Sequence, residues 1–144
     1  MRRTAVILVS GLAASLALAG CSQDPPVPLV LGDCLIISGV GESGDSVPTV
    51  ACDEAHEAEV YATFDVGGSD TYDEEAVVAE VEEECVSRFE AYTGEPYSSS
   101  PLDIFYTWPL AEGWDAGERG AVCAAFVPDE SGVPQLFEGT LAAF

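Results

Sequence analysis

The chain has 144 residues and carries 26 acidic against four basic side chains, a net charge of −22, with five cysteines and one histidine. That acidity excludes nucleic acid as a partner, because binding it requires cationic groups that displace counterions from phosphates. It also repels anionic lipid headgroups and anionic wall polymers, so any membrane attachment must come from something other than charge.

The first element is a targeting segment. Arg2 and Arg3 precede an apolar run from Val6 to Ala19, the charged n-region and hydrophobic h-region of a secretory signal peptide. The run is shorter than the ~20 residues of a membrane-spanning helix. It ends in Leu18-Ala19-Gly20-Cys21, which resembles the lipobox of bacterial lipoproteins. In such proteins the cysteine takes a thioether-linked diacylglycerol and the signal is cut away before it. The expectation is a signal over residues 1–20 and a lipidated Cys21 as the first mature residue. Acyl chains of the palmitate class would then hold the protein on the extracytoplasmic face of the cell membrane, two chains being what stable anchoring needs. Residues 21–31 read as a tether, which Pro25, Pro26 and Pro28 bias towards an extended spacer.

Loss of the signal leaves 124 residues with Arg88 and Arg119 as the basic side chains, a net charge of −24 against 26 acids. That length suits one domain, over residues 32–144. Cys34-Leu35-Ile36-Ile37 begins it as a short strand, and Gly39, Gly41 and Gly44 mark the following turn. Val47 to Cys52 and Glu57 to Val66 read as two more strands, broken by Gly67, Gly68 and Ser69. Residues 73–92 form the principal helix, with Val78, Val81, Cys85, Phe89 and Tyr92 as its buried stripe. Asp70 or Thr71 is the expected cap and Gly94 the stop. Strands follow at 102–108, Ala121–Val127 and Leu136–Phe144, with a Pro/Gly-rich loop from Pro109 to Gly117. The fold class is α+β, a mostly antiparallel sheet packed on one principal helix.

Four cysteines remain after lipidation. In an exported domain an even number argues for disulfides. A zinc site is disfavoured by the single histidine and the lack of C-x-x-C spacing. Three pairings are open. Cys34–Cys52, joining neighbouring early strands, and Cys85–Cys123, joining helix to strand, fit the element order best. Each bridge is worth roughly 3–4 kcal/mol on the chain-entropy model.

The sequence contains no nucleophile elbow, phosphate loop, H-E-x-x-H or calcium loop, so no catalytic residue, metal or cofactor is assigned. His56 is either a base or ligand, or a ring whose nitrogens satisfy backbone groups at the mouth of a strand. The second reading is preferred because no nucleophile accompanies it. Arg119, just after Trp114, is either an anion clamp or an internal fork to a carboxylate or carbonyl. The fork is preferred in so acidic a chain.

Several of these pieces occur together in one known family. They are Gly32-Asp33-Cys34; Cys52-Asp53 with His56 and Glu59-Val60; Cys85 with Phe89 and Tyr92-Thr93-Gly94; Trp114-x-x-Gly117-Glu118-Arg119 leading to Cys123; and Gly139-Thr140-Leu141. In order and spacing the chain resembles the septum formation family of actinobacterial envelope proteins. Ala55 stands where proline often precedes the histidine, and Thr140 where serine is usual. The resemblance implies an envelope role connected with septum formation and no particular reaction. The expected function is a non-catalytic binding or scaffold module with an envelope protein partner. The alternatives are an envelope hydrolase and a lipoprotein that binds a small ligand or cation.

Overall fold

A computed structural model describes residues 28–40, 46–68 and 70–142. The signal at 1–20, Cys21, the tether as far as residue 27, the glycines at 41 and 44, Ser69 and the last two residues lie outside this range. The elements run β1 (Cys34–Leu35), β2 (Thr49–Val50), β3 (Ala58–Asp65), α1 (Glu74–Thr93), β4 (Asp103–Thr107), the one-turn helix α2 (Ala111–Trp114) and β5 (Gly120–Phe126). The five strands form one antiparallel sheet in the order β2-β1-β3-β5-β4. The α+β class read from the sequence therefore holds.

Helix α1 starts at Asp73, whose carboxylate accepts from the Ala76 amide at 3.3 Å while its own backbone is extended, φ −136°. Glu74 and Glu75 fill the first turn, where negative charge complements the helix dipole. Asp73 thus takes the cap expected of Asp70 or Thr71. Gly94 ends the helix as expected, at φ 83°, a left-handed conformation that a Cβ would strain. The buried row is Val77, Val81, Cys85, Phe89 and Thr93, each four residues after the last, so it keeps to one face of the helix. The expected stripe is right at its centre and displaced at its ends: Val77 is buried where Val78 was expected, and Thr93 where Tyr92 was. The Thr93 hydroxyl satisfies itself on the Phe89 carbonyl at 3.1 Å, which lets a polar residue close the row.

The sheet has two apolar faces. Strand alternation turns Ala121, Cys123 and Ala125 of β5 towards α1 and Ala124 and Phe126 away from it, onto Leu35, Ile37 and Val60. In β3 the register slips between Val60 and Ala62. The extra residue of this bulge is Tyr61, which reaches the helix side as Ala62 does. The Tyr61 hydroxyl donates to the Cys85 carbonyl at 2.8 Å, and its ring meets Phe89 edge-on and stacks on Tyr92.

Both expected disulfides are present. Cys34–Cys52 spans 5.3 Å between Cα atoms and Cys85–Cys123 spans 5.6 Å. The first ties β1 to the turn after β2. The second ties α1 to the middle of β5.

Three expected strands are cut back, the first being Cys34 to Ile37, of which only Cys34 and Leu35 form β1. Of Val47 to Cys52 only Thr49 and Val50 pair with β1, since Pro48 has no amide to give and Cys52 sits in a turn. Leu136 to Phe144 makes no strand among its described residues. Phe137 forms a single bridge with His56. Gly139 then turns the chain at φ 88°, and the Leu141 amide goes to the Glu59 carboxylate rather than to a neighbouring strand. The loop from Pro109 to Gly117 contains α2, which the sequence reading leaves as loop.

Candidate functional site

The segment from Cys52 to Val60 carries the histidine and most of the candidate acids. His56 is fully buried. Its Nδ1 donates to the Glu54 carbonyl at 2.8 Å, and its backbone exchanges two hydrogen bonds with Phe137. The Phe137 ring lies edge-on to the imidazole, 4.2 Å between centroids. A ring so enclosed holds the C-terminal segment against the root of β3. No substrate in solvent can reach it.

The flanking carboxylates are used in the same way. Glu57 is 7 % exposed. Its Oε2 accepts from the amides of Ile37 and Ser38, both at 2.7 Å, and its Oε1 from the Ser38 hydroxyl at 2.6 Å. Burial by itself would raise this carboxyl's pKa, but the three donors outweigh it and hold the group below the ordinary glutamate value. Glu59 accepts from the Thr140 hydroxyl at 3.0 Å and the Leu141 amide at 2.9 Å. The Tyr92 hydroxyl, raised in pKa by burial and then by Glu59, lies against the same carboxylate. Alternate residues of one segment thus fasten three separate stretches of chain.

Trp114 and Arg119 form a second unit. The Trp114 indole is buried and meets Tyr72 edge-on at 5.5 Å. The Arg119 guanidinium lies 3.6 Å over that indole, a cation–π contact. Its Nη1 donates to the carbonyls of Trp114 and Glu118, each at 2.8 Å. Gly117 reverses the chain at φ 90°, and a Cβ on Gly113 would collide with the Glu118 carboxylate. The arginine is an internal fork to carbonyls, within a loop that closes on itself.

These two units do not meet. His56 precedes β3, while Arg119 bonds Val66 just beyond its other end. At about 3.3 Å per residue the strand keeps them well apart. Nor do three His, Cys, Asp or Glu side chains converge as a metal site among the described residues.

A concavity lies elsewhere, on the sheet face away from α1. It is an apolar groove of about 980 Å³ between Thr63, Phe105, Thr107 and Val122 on one side and Leu29 and Val47 on the other. Among the described residues Asp65 is its one acidic lining residue. The sequence reading missed this groove. Its only signal was the aromatic run Ile104-Phe105-Tyr106-Thr107-Trp108, which as a sequence is indistinguishable from an ordinary strand.

A small disulfide-stapled α+β domain, with His56, Glu57 and Glu59 turned inward and an open apolar groove, is therefore the class of protein that fold and site define. The chain belongs to the septum formation family, whose model matches residues 31–144. No curated protein and no solved structure is significantly similar to it. Among the described residues no helix is long and apolar enough to cross a membrane.

Proposed function

We propose that this chain is an exported, lipid-anchored protein of the cell envelope that acts as a non-catalytic binding or scaffold module in septum formation. In this reading residues 1–20 are the signal, Cys21 carries the lipid, residues 21–31 are the tether and residues 32–144 form the working domain on the extracytoplasmic face. Family membership supports the link to the septum. The scaffold role is carried by one observation: Glu57, Glu59, Arg119 and the Nδ1 of His56, the groups best suited to chemistry, are engaged in holding the fold.

The anchor is tested by Cys21→Ser, which should release the protein from membranes or block its processing. A processed Cys21→Ser protein that remains in the membrane fraction would show the anchor to be wrong. The scaffold role is tested by crosslinking in intact envelopes, where failure to recover any protein or wall partner would count against it. A second reading, a lipoprotein that takes a small apolar ligand, is favoured by the volume of the groove alone. Native mass spectrometry of the exported protein would reveal such a ligand as added mass.

A further inference from the structure

The two edges of the sheet are built differently. β2, at one edge, is trimmed to two residues. β4, at the other, runs for five, Asp103-Ile104-Phe105-Tyr106-Thr107. It consists mostly of strong strand formers and has no lysine, no proline and no slip in its pairing with β5. Such an edge is a template for a further strand unless charge, proline or a bulge blocks it.

The register decides which groups face outward. The Ile104 amide donates to Asp103 Oδ1 at 2.8 Å and not to β5. Asp103, Phe105 and Thr107 are therefore the positions bonded to β5, and the Tyr106 amide and the carbonyls of Ile104 and Tyr106 point away from the sheet. Side chains alternate as well. Phe105 belongs to the groove side, whereas Ile104 and Tyr106 belong to the α1 side. There the Tyr106 hydroxyl donates to the exposed carboxylate of Glu82.

We propose that β4 accepts an extended segment of a partner protein as an additional strand, and that in this segment apolar residues alternate with Lys or Arg. The apolar side chains lie beside Phe105 and lean into the groove; the cationic ones lie on the Tyr106 side and meet Glu82. Backbone pairing supplies affinity in this mode and the alternating side chains supply specificity. Charge selects the occupant. A second copy of the chain brings the same excess of acids, 26 against four basic residues, and is repelled, whereas a cationic strand is drawn in. The proposal rests on the scaffold reading and adds the chemistry of the partner.

The test uses the full chain in detergent and a synthetic peptide of about six residues, a usual strand length, in which Lys and Val alternate. One control has the same composition with Lys and Val in separate blocks; another alternates Glu and Val. The alternating Lys-Val peptide should bind and slow hydrogen exchange at the Tyr106 amide, and neither control should do so. N-methylation of the amides along one edge of the peptide should abolish binding, and along the other edge leave it intact. Tyr106→Pro removes the outward amide and should abolish binding. Should that variant fail to fold, Glu82→Gln serves instead: Glu82 is exposed, and its loss should weaken binding by up to about fivefold, the scale of one surface ion pair. Equal binding of the block peptide would overturn the proposal, reducing the interaction to general attraction of cations. Protection of Tyr106 in a concentration-dependent dimer without peptide would overturn it in favour of a second copy. An envelope partner that still crosslinks to Tyr106→Pro would remove β4 as the site and leave the scaffold reading standing.

Discussion

Acidic side chains in this molecule divide into two populations with different physics. Most lie on wetted surface and contribute mainly to net charge. Glu57 and Glu59 are buried, at 7 % and 9 % exposure; Glu57 accepts from two remote backbone amides and Glu59 from one. Glu57 carries a testable consequence. Its folded pKa is depressed below 4.5, so its contribution to stability is present above the unfolded-state pKa and is lost as pH falls through the folded one. Glu57→Gln keeps the shape but gives up the charged acceptor. It should lower stability by about 1–3 kcal/mol at neutral pH. Thermal denaturation across the acid range should show the gap between variant and wild type narrowing as pH drops. A gap that stays constant down to low pH would mean that the carboxylate's charge plays no part.

At the scale of elements, the helix and its bridge do most to define the fold. The Cys85–Cys123 loop spans 38 residues and the Cys34–Cys52 loop 18. Chain entropy alone favours the longer loop by about 0.7 kcal/mol. Position adds to this, because Cys85 and Cys123 are both fully buried between α1 and the sheet, whereas Cys52 is exposed. Cys85→Ala with Cys123→Ala should therefore depress the melting temperature more than Cys34→Ala with Cys52→Ala, and calorimetry of the two double variants decides the order. What was legible in the sequence follows the same division. Helical periodicity around Val81, Cys85 and Phe89 exposed the helix, its bridge and hence the class of fold, because burial there depends on spacing alone. The C-terminal stretch misled, since Leu136 and Phe137 read as strand while Gly139 and the Glu59 carboxylate together turn the chain out of the ladder. The Trp114–Arg119 loop turns its guanidinium onto the carbonyls of Trp114 and Glu118, although the sequence left an anion clamp and an internal fork both open. The groove was not legible: its lining residues come from β3, β4, β5 and two distant loops, and no local pattern records that convergence.

For the whole molecule, charge and apolar surface act on different steps of association. An acidic envelope protein resists clumping with its own kind and with anionic neighbours, which leaves selectivity to the groove and the β4 edge. Closure of the fold also has a direction in time. His56 and Glu59, near the beginning of the domain, find their partners at Phe137, Thr140 and Leu141, and Thr140 lies 81 residues after Glu59. Until residues 137–141 are in place, the Glu59 carboxylate lacks its Thr140 and Leu141 donors and the His56 backbone lacks its partner at Phe137. Truncation before Leu136 should then leave a protein that still forms Cys34–Cys52 but is readily cleaved around β3 by added protease. Equal protease resistance of the truncated and complete chains would show that the tail is dispensable. The fold therefore cannot be completed from its first half alone: the root of β3 is finished by residues that lie 81 and 82 positions further along the chain.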